Sequence, residues 1–209
     1  MATKTQAKAT SGTRIAPQRV SVLHRKNLVI TDNKMTVEDW AAMPDTKPRY
    51  ELIDGLIFQK MTTTSKHAWT VGELLFALKT WGQPRGWIFF PEGVGIKLGA
   101  NDGAVADVVG FAPGAQLHEE ETYFSQTPFL VVEVVSRSTA KRDRTDKKTG
   151  YAKIGVQIYL IADPDKKTLE VHTLKNNKYG APRVLAVGEI WQPEELVGLQ
   201  IEVDQLWMK

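Results

Sequence analysis

Cysteine is absent from the 209 residues. That excludes disulfides and thiolate metal sites, and it is compatible with a reducing cytoplasm, the location expected for this chain. No apolar run approaches the ~20 residues of a membrane-spanning helix. The beginning of the sequence also lacks the apolar stretch of a secretory signal, so no membrane is expected among the partners. Histidine is scarce: there are four, with no His-x-x-x-His pair, which argues against a zinc centre. Neither Gly-x-x-x-x-Gly-Lys nor a Gly-x-Gly-x-x-Gly after a strand occurs, which argues against nucleotide binding of those kinds. Gly93-Val94-Gly95 is too short to count. No serine nucleophile elbow is present.

What remains is the mix of an ordinary globular protein, 42% hydrophobic and 24% charged, long enough to bury a core without staples. The expected organisation is a basic, flexible tail over residues 1–34 and one domain over residues 35–209. The positive charge lies mainly in the tail. Seven lysines and arginines against Asp32 give +6 over residues 1–34, whereas the whole chain is +3, so residues 35–209 carry a net −3. Such a tail either touches nucleic acid or is simply solvated.

Along the domain, Thr36-Val37-Glu38-Asp39 reads as an N-cap followed by first-turn acids, opening a short helix that ends before Pro44. Asp54-Gly55 between apolar arms predicts a hairpin over Tyr50–Phe58. Trp69, Leu74, Leu75, Leu78 and Trp81 recur at helical spacing between Ser65 and Gly82. Two short strands follow, broken at Pro91-Glu92-Gly93, and a further strand is expected over Val105–Phe111. Phe129–Val135 is a continuous β-branched run, the pattern of a central strand covered on both faces. A helix over Asp143–Ile154, stopped by Gly155, and a strand over Val156–Ala162 complete a βαβ crossover. The fold class is therefore α/β or α+β, with a mixed sheet flanked by helices. The six tryptophans fall mostly at core-like positions.

Two acids contradict their surroundings. Glu133 interrupts Leu130-Val131-Val132 and Val134-Val135, and Asp107 stands between Val105-Ala106 and Val108-Val109. A carboxylate in such a strand is costly unless it is paired or binds a cation. Acids on neighbouring strands can converge on one divalent ion, and a hard ion such as Mg²⁺ takes oxygen ligands and keeps waters for substrate phosphates. The competing reading is a pair of buried salt bridges to nearby lysines. Asp143, Lys147 and Tyr151, four residues apart, share one helix face. Lys147 therefore points at the strand of Glu133, or else forms only an exposed pair with Asp143. Arg137, Lys141, Arg142, Arg144, Lys147 and Lys148 form a local basic cluster where a phosphate backbone would arrive.

Tyr50-Glu51-Leu52-Ile53-Asp54-Gly55, His67, Ala106-Asp107-Val108, Val132-Glu133-Val134-Val135-Ser136 with Ser138-Thr139, Asp143 with Lys147 and Tyr151, and Gly155-Val156 running into Tyr159–Pro164 together resemble the Uma-two family of bacterial endonucleases. The resemblance spans roughly residues 35–207. It implies a PD-(D/E)XK, restriction-endonuclease-like fold that hydrolyses the phosphodiester bonds of DNA with Mg²⁺ or Mn²⁺. It places Asp107 and Glu133 as metal-holding acids, with Glu51 as a third acid or as a purely structural strand residue. The superfamily's lysine usually stands two residues after the second acid, where this chain has Val135, and Lys147 takes its place. His67 matches a family position and is either a phosphate contact or a capping residue. Arg137, Arg142 and Tyr151 are further candidates for contact with the substrate. The proline usual before the first acid is Ala106, and the stretch after Gly155-Val156 begins with Gln157 rather than an acid. A homodimer would let two sites cut two strands. The alternative function is a non-catalytic module on the same fold that binds nucleic acid or another protein.

Overall fold

A computed structural model of the chain describes residues 28–29 (backbone only), 34–43, 50–60 and 63–209. Apart from Leu28–Val29 and Lys34, the expected tail lies outside these residues.

The first element with side-chain detail is α1, Val37–Ala41, and its start follows from chemistry. The Thr36 hydroxyl accepts the Asp39 N–H, and the Asp39 carboxylate accepts the Thr36 N–H, so two orphan donors are satisfied reciprocally. Next come β2, Tyr50–Ile53, and β3, Leu56–Gln59. They form the expected hairpin, with Ile53 opposite Leu56 and both turn residues, Asp54 and Gly55, at positive φ. That is the backbone a type I′ turn requires. The pair Leu28–Val29, β1, adds antiparallel to the outer edge of β3.

The long helix α2, Ser65–Gly82, is capped by Thr64, one residue before the expected Ser65. The strands β4, Ile88–Pro91, β5, Gly95–Gly99, and β6, Asp102–Ala104, follow. Then come β7, Val108–Phe111, β8, Tyr123–Phe124, and β9, Leu130–Val134. The strand expected over Val105–Phe111 therefore starts three residues late, and Asp107 occupies the bend before it rather than the strand itself. After β9 the helical segment begins at Ala140, earlier than predicted. It runs as α3, Ala140–Arg142, a π-helical turn, Asp143–Lys147, and α4, Lys148–Ile154. Gly155 in the left-handed conformation stops it. The chain continues with β10, Ile158–Asp163, and β11, Thr168–Lys175. Short strands β12, Lys178–Tyr179, β13, Arg183–Leu185, β14, Ile190–Trp191, and β15, Ile201–Glu202, lead to the C-terminus.

The strands assemble into a seven-stranded sheet, ordered β12-β11-β10-β9-β7-β4 with β13 beside β11, a six-stranded sheet, ordered β1-β3-β2-β6-β5-β8, and a two-stranded pair, β14-β15. β9 and β10 are parallel, as the predicted crossover demands, while β7 runs antiparallel to β9 and β4 antiparallel to β7. β9 is buried throughout, and its side chains alternate between two cores. Leu130, Val132 and Val134 pack with Leu74, Leu78 and Trp81 of α2 and with the C-terminal Trp191 and Trp207. Val131 and Val135 pack with Tyr151 of the crossover helix, with Tyr159 and Ile161, and with Ile96 and Leu98 of the second sheet. Glu133 shares this second face. Trp69 departs from expectation: it lies on the outer side of α2, 45% exposed. Its period matched the helix, but its phase faces away from the sheet.

A small third core of Val37, Leu52 and Ile57 joins α1 to the hairpin, with Trp40 packed against it. The Trp40 indole N–H donates to the Tyr50 carbonyl at 3.0 Å. Its ring lies flat against Gly95 and Gly103, where a Cβ would overlap it. Gly103→Ala is expected to destabilise the chain by about 1–3 kcal/mol through overpacking, read as a lower urea midpoint with an unchanged slope.

Candidate active site

Asp107 and Glu133 come together because β7 and β9 are neighbours. The ladder pairs Val108 with Val132, and at its end the Asp107 side chain takes over. The Asp107 N–H donates to the Val132 carbonyl at 3.1 Å, and its Oδ2 accepts the Val134 N–H at 2.7 Å. The bend thus replaces a backbone acceptor by a carboxylate, and Asp107 grips the residues on either side of Glu133. Its other contacts are the Lys60 ammonium, 3.0 Å from Oδ1, and His67 Nε2, 3.3 Å from Oδ2. Burial would raise this carboxyl, but the Lys60 charge, the His67 hydrogen bond and the Val134 N–H hold it well below the usual carboxylate range.

Glu133 has a different balance. Its Oε1 accepts hydrogen bonds from Lys147 Nζ at 2.9 Å and from the Tyr151 hydroxyl at 2.7 Å. Among the described residues no hydrogen bond reaches Oε2. Burial, with Asp143 and Asp107 adding to it against Lys147 and Lys60, pushes the carboxyl up to about 8. Lys147 has to serve several acids at once: its ammonium lies 2.6 Å from Glu51 Oε1, 2.9 Å from Glu133 Oε1 and 3.5 Å from Asp143 Oδ1. Burial works against its charge, but these carboxylates keep it protonated well above the ordinary lysine range. Asp143 and Lys147, at the two ends of the π-helical turn, are both buried. Asp143 Oδ1 is left buried without a hydrogen bond, and burial raises its carboxyl too, despite Lys147.

The expected site residues separate into distinct positions. Asp107, Glu133, His67, Lys147, Arg137 and Arg142 line one cavity of about 440 Å³, together with Lys60, Asp143, the hydroxyl residues Thr63, Thr64, Ser136, Ser138 and Thr139, and Lys66. Glu51 lies behind Lys147, on the wall of a second cavity of about 190 Å³. Its carboxylate is spanned by Lys147 at 2.6 Å and Arg142 at 2.5 Å. Burial pushes Glu51 up, but the Lys147, Arg142 and Lys60 charges more than offset it and leave the carboxyl below its ordinary range. Tyr151 cannot be a substrate contact, because its side chain is fully buried and its hydroxyl is spent on Glu133. Arg137 is almost entirely in solvent, 3.7 Å from Asp165, at the cavity mouth. His67 sits in the first turn of α2, its N–H donating to the Thr64 cap at 3.4 Å and its ring Nδ1 buried without a partner.

Lys60 was not expected. It follows β3 directly, and its ammonium donates to the Val105 carbonyl and Asp107 Oδ1, both at 3.0 Å, with Glu92 Oε1 at 3.3 Å. Although burial lowers it, Asp107 in particular keeps this lysine above its ordinary range. A lysine flanking a hairpin arm carries no periodic or motif signal, and only the tertiary fold brings it to an acid 47 residues away.

Glu133 makes stability depend on pH. Its carboxyl holds a proton in the folded chain up to about 8, whereas an ordinary glutamate releases it near 4.5. The stabilisation from that proton is therefore complete below about 4.5 and is lost as the pH rises through about 8. Glu133→Gln is neutral throughout. In urea unfolding, the wild-type midpoint is expected to fall across this window relative to that of Glu133→Gln. Parallel pH profiles for the two proteins would refute the assignment. Tyr151→Phe, which removes one of the two donors to Oε1, is expected to cost about 1–3 kcal/mol in the same measurement.

Residues 37–204 match the model of the Uma2 family, whose description reads "Putative restriction endonuclease". A solved structure of a protein from Anabaena variabilis, described as a "putative nuclease", shares the fold with a TM-score of 0.71 and 22% identity, over 82% of this chain and 97% of that one. No curated protein matches the chain at a significant level. With four-fifths of its length under one family model, the chain belongs to the Uma2 family.

Proposed function

We propose that the chain is a divalent-metal-dependent endonuclease that hydrolyses phosphodiester bonds of DNA, with Asp107 and Glu133 as the acids that hold Mg²⁺ or Mn²⁺. One observation supports this above the others: two carboxylates, one from the bend that opens β7 and one from the adjacent β9, face one cavity, the first tied down by Lys60, His67 and a backbone N–H, the second with an oxygen to spare.

The donor set suits a hard cation. It is all oxygen, and four carboxylates, Glu51, Asp107, Glu133 and Asp143, share the permanent charges of Lys60, Lys147 and Arg142. Burial first, then the Asp143 and Asp107 carboxylates, raise Glu133 in spite of Lys147. Among the described residues no group of three His, Cys, Asp or Glu side chains stands ready to hold an ion. Mg²⁺ does not demand one, since it is commonly held by one or two carboxylates, with waters and substrate phosphates completing its shell. When bound, the ion would polarise the phosphodiester and lower the pKa of a water.

The chain's own groups do the remaining work. Lys60 and the Val134 N–H fix the Asp107 carboxylate in its ionised form. Lys147 and Tyr151 orient Glu133 by its Oε1, which turns Oε2 away from them. Glu51, with Arg142, holds Lys147 from behind; this is the role the geometry supports, in place of a third metal ligand. Around the mouth, Lys66, Arg137 and the hydroxyls of Ser136, Ser138 and Thr139 offer sequence-independent contacts to a phosphate backbone.

The test is incubation of the full chain with supercoiled plasmid and Mg²⁺ or Mn²⁺. Asp107→Asn keeps an acceptor for the Val134 N–H, and Glu133→Gln keeps one for Lys147 and Tyr151, so both should fold. Each is expected to lower the cleavage rate by about 100-fold or more, and a chelator should abolish the wild-type activity. Cleavage by either variant at the wild-type rate, or no cleavage by the wild type with either ion, overturns the reading. Retained DNA binding in the second case would point to the non-catalytic module instead.

A further inference from the structure

The cavity contains two buried ammonium groups, and they are not equivalent. Lys147 is enclosed. Its three neighbours are the carboxylates of Glu51, Glu133 and Asp143, all of them buried. To give up any of these for a substrate would strand a charge in the interior, at a cost of several kcal/mol. Lys60 enters from the end of β3, and two of its donors are spent on Val105 O and Asp107 Oδ1. Its third neighbour differs in kind. Glu92 stands in the turn between β4 and β5 with 30% of its side chain exposed, and its contact at 3.3 Å is not among the hydrogen bonds of Lys60. An ammonium has three N–H donors, so one donor of Lys60 faces only a carboxylate that water can readily take over.

Position reinforces the contrast. Lys60 touches Asp107, one of the two acids assigned above to the ion, and lines the cavity that opens to Lys66, Arg137 and the hydroxyl residues. Val135, two residues after Glu133, has no group to offer a phosphate.

We infer that Lys60, rather than Lys147, is the lysine that contacts the substrate phosphate, and that Glu92 is a resident counter-ion which a phosphate oxygen replaces. Exchange of one anionic oxygen for another leaves the ammonium paired throughout. Lys147 is then a positioning residue that acts through Glu133. The inference rests on the nuclease reading above and names the group that binds the substrate.

The experiment measures binding of a fluorescent duplex DNA oligonucleotide to the full chain by anisotropy. Ca²⁺ stands in for Mg²⁺, so that turnover does not consume the probe. Lys60→Gln keeps a donor for Val105 or Asp107 and removes the charge. It is expected to weaken binding about tenfold, and to make the plot of log K against log salt shallower by about one. Lys60→Arg should recover most of the affinity. Glu92→Gln removes the competing anion and should tighten binding about two- to fivefold. Binding by Lys60→Gln equal to wild type with the same salt slope, or weakening by Glu92→Gln as great as that by Lys60→Gln, overturns the assignment. Should Lys60→Gln not fold, Glu92→Gln decides alone, because Glu92 is part-exposed in a turn. Wild type that neither binds nor cuts DNA brings down the nuclease reading, and this inference with it. Wild type that binds, with Lys60→Gln unaffected, removes only the role of Lys60.

Discussion

Glu133 lies one residue from the end of β9, a strand with apolar cores on both sides, and an ionised group there loses most of its water. The cost of such a position runs to several kcal/mol unless a counter-charge and hydrogen bonds arrive with good geometry. Lys147 brings the counter-charge and Tyr151 a second donor, both from the crossover helical segment. Because Lys147 also reaches Glu51 on β2, one ammonium ties the central sheet, the helix and the hairpin sheet together. Much of the local architecture answers to this knot. Asp143 and Lys147 both lie buried at the ends of the π-helical turn, and Arg142 closes the far side of Glu51.

A buried ionic network of this sort is a poor source of net stability, since well-packed apolar side chains of the same volume often do as well or better. Its persistence here is easier to understand as placement of Glu133. Two donors hold Oε1, and Asp107, fixed by its own donors, stands across the same cavity. Four carboxylates against three permanent cations leave the cluster short of positive charge. Together with burial, that imbalance raises the Glu133 carboxyl. It also explains why the two acids titrate in opposite directions. Asp107 has Lys60, His67 and the Val134 N–H against its burial, whereas Glu133 divides Lys147 with Glu51 and Asp143.

Much of this was legible in the sequence. The hairpin at Asp54-Gly55 followed from turn chemistry, the Thr36 cap from the acid three residues on, and the parallel β9–β10 pair from a strand, helix, strand order that admits few topologies. Glu133 was conspicuous as a lone acid in a β-branched run, and the spacing of Asp143, Lys147 and Tyr151 placed them on one inward face. Other residues were misplaced or invisible for definite reasons. Asp107 read as a strand residue because its neighbours are apolar, yet it sits in the bend where its side chain substitutes for a ladder acceptor. Tyr151 read as a substrate contact because helical spacing gives a face but not its depth. Trp69 fitted the helical period but not its phase. Lys60 had no pattern at all, since lysines beside strands are common on any surface.

By itself, then, the sequence determined which elements form and which acids could not be tolerated unpaired, because local propensity, turn chemistry and the cost of burying charge act on short stretches. Only the tertiary structure decided who pairs with whom. Lys60 meets Asp107 across 47 residues and Lys147 meets Glu133 across 14, while Glu51 stands behind the cavity and not in it. Such pairings depend on strand order and on the angles at which sheets and helices pack. The low-dielectric interior then turns a few ångströms of placement into the difference between a carboxylate held ionised and one that keeps its proton.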